Sequence, residues 1–139
     1  MKKVYVFVAV FVFCFLLSYM LTGCTMLSEE RIKLRDLEFT VLSEEKIPEE
    51  LMNIIEEKKA APFKLTYSDN EFLYITIGYG EQTTGGYSIA VNELYLTDNA
   101  IYVNTNLLGP DGATQSENAS SYPFIVLKTE YLDETVVFE

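Results

Sequence analysis

The chain has no histidine and no tryptophan. Without histidine, the Ser-His-Asp and Cys-His catalytic arrangements are excluded, and so is every His-ligated metal site. Cysteine occurs only at Cys14 and Cys24, too few for a zinc cluster or a disulfide framework. Positive charge is also scarce: 10 Lys and Arg stand against 21 Asp and Glu, a formal net charge of −11. A nucleic-acid partner needs clustered Lys and Arg, so none is expected. At 139 residues there is room for one domain and not for two. No D-x-[DN]-x-[DN]-G loop accompanies the acidity, which reads as solubility and not as calcium binding. Gly78 and Gly80 lack the third glycine of a dinucleotide fingerprint, and no cofactor is expected.

What is present begins with an export signal. Lys2 and Lys3 form a positive start, residues 4–20 are uncharged and dense in Val, Phe and Leu, and Leu21-Thr22-Gly23-Cys24 follows. That ending resembles the bacterial lipobox. The resemblance implies cleavage before Cys24, lipidation of its sulfur with added palmitate-type chains, and a bacterial membrane anchor facing out of the cytoplasm. The alternative is an uncleaved anchor, for which the apolar run is at the short limit of a bilayer span. A cysteine placed just after a signal-like run favours the lipoprotein, and both readings leave Lys2 and Lys3 inside. Cleavage removes Cys14 and lipid blocks Cys24, so the mature chain has no free thiol. It keeps 8 basic and 21 acidic residues, a net of −13. From residue 60 onward only Lys64 and Lys128 are basic, against 11 acids. Such a surface is repelled by anionic headgroups, so the domain hangs off its anchor.

Residues 1–23 are therefore read as a lipoprotein signal peptide, 24–35 as a tether and 36–139 as one folded domain. Leu37, Phe39 and Val41 alternate with polar residues, a strand signal. A helix is expected near 48–59: Pro48 suits its first turn, Glu49 and Glu50 its positive end, and Lys58 and Lys59 its negative end. Leu51, Ile54 and Ile55 share one face, ready to pack on a sheet. Phe63, Leu65 and Tyr67 alternate, and Ser68-Asp69-Asn70 forms a turn. Residues 72–79 are apolar almost throughout, as in a central strand covered on both faces. Tyr87, Ile89 and Val91 alternate before Leu94 and Leu96 take the opposite phase, which places a β-bulge near Asn92-Glu93. Asp98-Asn99 reads as a hairpin turn, Ile101, Val103 and Thr105 as the next strand, and 124–129 and 136–138 as closing strands. The fold class is mainly β, a small antiparallel sandwich or curled sheet with one amphipathic helix.

If successive strands reverse in a meander, the connections 80–86 and 109–121 lie at one end and Asp98-Asn99 at the other. The two largest polar loops then share a rim, where binding commonly resides. Gly85-Gly86 allows positive φ and lets another chain approach closely, although a turn requirement alone is the plainer account of the pair.

A family resemblance enters here. The run Gly80-Glu81-Gln82-Thr83-Thr84-Gly85-Gly86-Tyr87-Ser88-Ile89 resembles the TGGYS signature of the PrcB C-terminal domain family. The likeness continues through residues 91–96 and 101–103, a loop with Pro110 and Gly112, and Tyr122-Pro123-Phe124-Ile125-Val126-Leu127-Lys128. It covers about residues 74–128. The resemblance implies a secreted or lipid-anchored accessory subunit that binds and stabilises a subtilisin-like protease and carries no catalytic residues. The partner-binding region it implies is Thr83, Thr84, Gly85, Gly86 and Tyr87, with Pro110, Asp111 and Gly112 of the facing loop.

Two other classes compete. Thr83-Thr84-Gly85-Gly86-Tyr87 is loosely similar to the T-T-G-Y loop of chagasin-like protease inhibitors, but the extra glycine departs from it and Ile89 stands where a Trp is expected. A glycosidase could use paired carboxylates without histidine. The acids here are scattered over turns and strand edges, and no pair is singled out.

Overall fold

The computed structural model describes residues 1–6, 8, 9, 31–111 and 119–139. The chain divides into two units, Met1–Glu30 and Arg31–Glu139. In the first, residues 2–6 are helical, and among the described residues no helix is long and apolar enough to cross a membrane. The signal-peptide cut, the lipobox and Cys24 lie outside the described residues.

In the second unit, the strands from β3 onward form where apolar residues alternate or run together. Lys33–Asp36 is β1, Phe39–Val41 is β2, Pro62–Ser68 is β3 and Phe72–Tyr79 is β4. Ser88–Thr97 is β5, Ala100–Leu108 is β6, Phe124–Glu130 is β7 and Thr135–Phe138 is β8. A 3-10 turn at Glu44–Lys46 leads into α1, Glu49–Lys58, the single long helix among the described residues of this unit. The strands make two four-stranded sheets, one ordered β1-β5-β6-β8 and the other β2-β7-β4-β3. All pairs are antiparallel except β6 with β8. The domain is thus a sandwich, with one parallel pair that the antiparallel expectation did not include.

Between the sheets lie Leu73, Ile75 and Ile77 of β4, Ile125 and Leu127 of β7, and Leu94, Ile101 and Val103 of the facing sheet. A second core forms on the other face of the β4 sheet. There Leu51 and Ile55 of α1 are fully buried against Tyr74 and Val126. Burying each of those aliphatic side chains contributes roughly 1.5–3 kcal/mol. Covered by α1 on one side and by a sheet on the other, β4 is apolar on both faces, as its sequence implied.

The start of the chain departs from expectation in two ways. Lys33–Asp36 pairs with β5, so the last residues of the predicted tether belong to the sheet. Side-chain contacts help hold them: the Arg31 guanidinium lies 4.5 Å over the Tyr102 ring and pairs with Glu139, Lys33 Nζ lies 5.1 Å over Tyr95, and Arg35 pairs with Glu130. The alternating run from Leu37 to Val41 is also not one strand. The chain crosses from one sheet to the other at Leu37, which is buried and gives its N–H to the Leu94 carbonyl. The bulge expected in β5 is present, as a register shift between Val91 and Glu93. The extra residue lets Ile89, Val91, Leu94 and Leu96 all face the same core, while Tyr95 turns outward to stack on Tyr102 at 5.3 Å.

Candidate functional site

Consecutive strands pair as hairpins only at β3–β4 and β5–β6, so the predicted meander is broken between them. The strands β4 and β5 are in different sheets, and residues 80–87 cross between them. Connections 80–86 and 109–121 nevertheless meet at one end, through direct bonds. The Gln82 N–H donates to the Ser121 carbonyl at 2.8 Å, and the Ser121 N–H returns to the Gln82 carbonyl at 3.0 Å. Ser121 Oγ donates to the Thr84 carbonyl at 2.6 Å. The Gln82 side-chain amide donates to the Tyr79 carbonyl at 3.1 Å, fixing the exit from β4.

A third connection joins them. Glu81 gives its N–H to the Ala60 carbonyl, just after α1. Lys59 Nζ sits 5.5 Å over the Tyr122 ring. Gly80 has φ +74, and a Cβ there would come within 2.8 Å of the Pro62 ring, so this glycine is required both by conformation and by contact. The helix, the loop after β4 and the approach to β7 are therefore held together.

Of the residues expected to bind, Thr83 and Gly86 are exposed, and Thr84, Gly85 and Tyr87 are half-buried. In the glycine pair, Gly86 carries the positive φ, at 84°; Gly85 is not among the positive-φ residues. Tyr87 lies beside Gly109, whose Cβ position is 3.9 Å from the tyrosine ring, so the start of β5 and the end of β6 stay together at the rim. Pro110 is half-buried and Asp111 exposed. Gly112 lies outside the described residues. Sequence reasoning missed Gln82 and Ser121, the pair that joins the loops. Their bond is between main chains, and neither side chain announces it.

Below the rim, the Tyr79 hydroxyl and Thr105 Oγ1 share a hydrogen bond at 2.7 Å, linking β4 to β6 across the sandwich. Beside them is an open cavity of about 440 Å³, lined by Pro62, Phe63, Lys64, Ile77, Gly78 and Glu139 among others. The Phe63 ring lies where a side chain on Gly78 would go, its nearest carbon 2.0 Å from that Cβ position. This glycine is what lets an aromatic residue lie flat on the neighbouring strand.

The largest electrostatic shift lies at the far end. Asp69 Oδ1 accepts from the N–H groups of Phe72 at 2.9 Å and Glu71 at 3.1 Å, and Oδ2 accepts from the Tyr74 hydroxyl at 2.8 Å. The Phe72 N–H and the Tyr74 hydroxyl hold the Asp69 carboxyl below its usual range. Burial and then Asp69 push the Tyr74 phenol up to about 12. This cluster serves the β3–β4 turn, where Asn70 takes φ 71°. Among the described residues no group of His, Cys, Asp and Glu could hold a metal ion.

No curated protein and no solved structure matches the chain. Residues 73–130, running from β4 to the end of β7, match the family model described as PrcB C-terminal, the family that the TGGYS run resembles.

Proposed function

We propose that the chain is a lipid-anchored, extracytoplasmic accessory protein that binds an extracellular protease through this rim and does no chemistry itself. The observation that carries the reading is the Gln82–Ser121 bridge with the Ser121–Thr84 bond. It ties residues 82–84 to the approach to β7 on the sandwich, so among the described residues this part of the rim is held in place before a partner docks. The family likeness and the lipobox-like LTGC ending support the same reading.

The test is to incubate the chain with a subtilisin-like protease from the same cell envelope and follow protease activity on heating. A stabilising subunit prolongs activity at a stoichiometric ratio. Abolished activity would instead indicate an inhibitor, and hydrolysis of a substrate by the chain alone would contradict the non-catalytic reading.

A further inference from the structure

Exposed apolar side chains are concentrated at the start of the folded unit. Ile32, Leu34, Phe39 and Val41 are all exposed, four within residues 32–41, whereas the other described residues of that unit expose only Leu108, Tyr122 and Tyr131 among their large apolar side chains. A scattered apolar residue needs no explanation, but a cluster does. The strands that carry or adjoin this cluster are sheet edges: β1 borders β5 in one sheet and β2 borders β7 in the other. Leu37 links them, and Arg35 of β1 pairs with Glu130 of β7, so the two edges form one flank of the sandwich. The helix α1 lies elsewhere, against Tyr74 and Val126 on the far face of the β4 sheet.

Chain reach and local charge both point to what covers this flank. Arg31 follows Cys24 by seven residues, a length that spans at most about 25 Å when fully extended. An anchor at Cys24, or an uncut apolar run ending there, therefore keeps the flank close to the bilayer, where even a weak contact is populated. The strand β1 begins opposite Thr97, at the end of the sandwich away from the Gln82–Ser121 bridge, so the membrane is approached from the end opposite the rim. Charge on the flank is close to balanced. Arg31, Lys33 and Arg35 are in ion pairs with Glu139, Asp36 and Glu130. With Lys128, Glu38 and Glu93 beside them, four cations meet five acids, a net of −1 where the mature chain carries −13. The repulsion that the net charge implies thus belongs mainly to other surfaces.

We propose that the β1–β2 flank seats the domain on the outer surface of the lipid bilayer that holds its anchor, with Ile32, Leu34, Phe39 and Val41 at the headgroup boundary. The domain then rests on the membrane by this side instead of hanging clear of it. This deepens the accessory-protein reading by naming the side that meets lipid, and it rests on that reading for the presence of a membrane anchor.

The probe is a phosphatidylcholine nanodisc containing headgroup-spin-labelled lipid, holding the membrane-extracted full-length gene product with Ile, Leu and Val methyl groups labelled. Methyl signals of Ile32, Leu34 and Val41 should lose most of their intensity. Leu108 is nearly as exposed as Leu34, 49% against 57%, but lies at the rim end, and its signal should persist. Mixing in phosphatidylglycerol should leave the pattern unchanged, because the flank is close to neutral. Leu34→Ser combined with Val41→Ser should lower the docked-to-free ratio at least about tenfold, since two apolar side chains leave the lipid. Its melting temperature in detergent should stay near wild type, both positions being exposed. The seat on the bilayer is overturned if Leu108 fades as much as Leu34, if the flank signals persist, or if the double variant fades like wild type. Loss of protease binding in the double variant, with flank signals untouched by the spin label, would make the flank a protein-binding surface and overturn the seat. Fatty-acid labelling at Cys24 with an unaffected flank would sink the seat and leave the anchor standing. Fading of the flank in a chain that takes up no fatty acid, held by its uncut apolar run, would do the reverse.

Discussion

Ser121 donates its hydroxyl to the Thr84 carbonyl at 2.6 Å, between residues 37 apart in sequence. Both residues are half-buried. Ser121→Ala should therefore cost about 1 kcal/mol or less, the net worth of one hydrogen bond. The amides of Gln82 and Ser121 should exchange faster, because the bridge between them loses its clamp. With a partner in hand, affinity should fall for Ser121→Ala and stay near wild type for Asp98→Ala at the opposite end. Sensitivity at Asp98 with a silent rim would move the binding surface elsewhere.

The glycine pair separates conformation from contact. Gly86 has φ 84°, where a side chain is strained, while Gly85 is not in that region. Gly86→Ala should lose about 1 kcal/mol, and Gly86→Asn less, because Asn tolerates left-handed φ. Gly85→Ala should melt within a degree or two of wild type. Equal losses at both positions would show that packing, not φ, decides the pair.

These contrasts mark how far the sequence could be read. Periodicity located every strand from β3 onward, and the phase change before Leu94 identified the bulge, because side-chain direction alone decides both. The same rule failed between Leu37 and Val41. Alternation cannot show that a chain leaves one sheet for another, and only Leu37's bond to Leu94 reveals the crossing. The meander premise failed for a related reason: β4 and β5 are consecutive yet lie in different sheets. Of the rim expected at 80–86 and 109–121, Gln82 and Ser121 do meet, through a main-chain bridge, while residues 112–118 lie outside the described residues. Arg31 and Lys33 looked like tether residues because they are charged. Their roles over Tyr102 and Tyr95 depend on the tyrosines turning outward together, which local pattern does not disclose.

The Asp69–Tyr74 pair sets limits at both ends of the pH scale. The folded state lowers the Asp69 pKa. Its stabilisation is therefore present above the ordinary carboxylate range and is lost as pH falls through the lowered value. The Tyr74 phenol is raised from its ordinary 10.0 to about 12. Its contribution is present below pH 10 and declines as pH rises toward 12. In urea unfolding, Asp69→Asn should flatten the acid limb and Tyr74→Phe the alkaline limb. Absorbance of the phenolate in the folded protein should show a late-ionising component that Tyr74→Phe reduces, with Tyr67, also raised through its hydrogen bond to Glu50, remaining. An unchanged alkaline limb in that variant would assign the loss to another group.

Anchoring has a direct test. If Cys24 in the LTGC ending is the lipidated residue, Cys24→Ala should abolish incorporation of labelled fatty acid and leave the precursor uncleaved. The precursor should stay with membranes through its uncut apolar run. Labelling that persists in Cys24→Ala would rule out the lipobox reading, whatever the domain binds.

Thr76 offers the sharpest test of the core. It is fully buried in β4, opposite Leu65 of β3 and Val126 of β7, and among the described residues its Oγ1 has no hydrogen-bond partner. In the alternation of β4 it shares a face with Tyr74, beneath α1. A buried hydroxyl that has lost its water and gained no partner costs roughly 1–3 kcal/mol. Valine has nearly the same shape with a methyl in place of the hydroxyl, so Thr76→Val removes the penalty without opening a cavity. It should stabilise the domain by about 1 kcal/mol, which for a domain of this size raises the melting temperature by roughly 4 °C or more. Thr76→Ser keeps the hydroxyl and deletes the methyl, and should lose about 1 kcal/mol through the small cavity left behind. Opposite shifts in the two variants would establish the hydroxyl as a liability. Destabilisation by both would mean that the oxygen is satisfied, most simply by a water enclosed between β4 and α1.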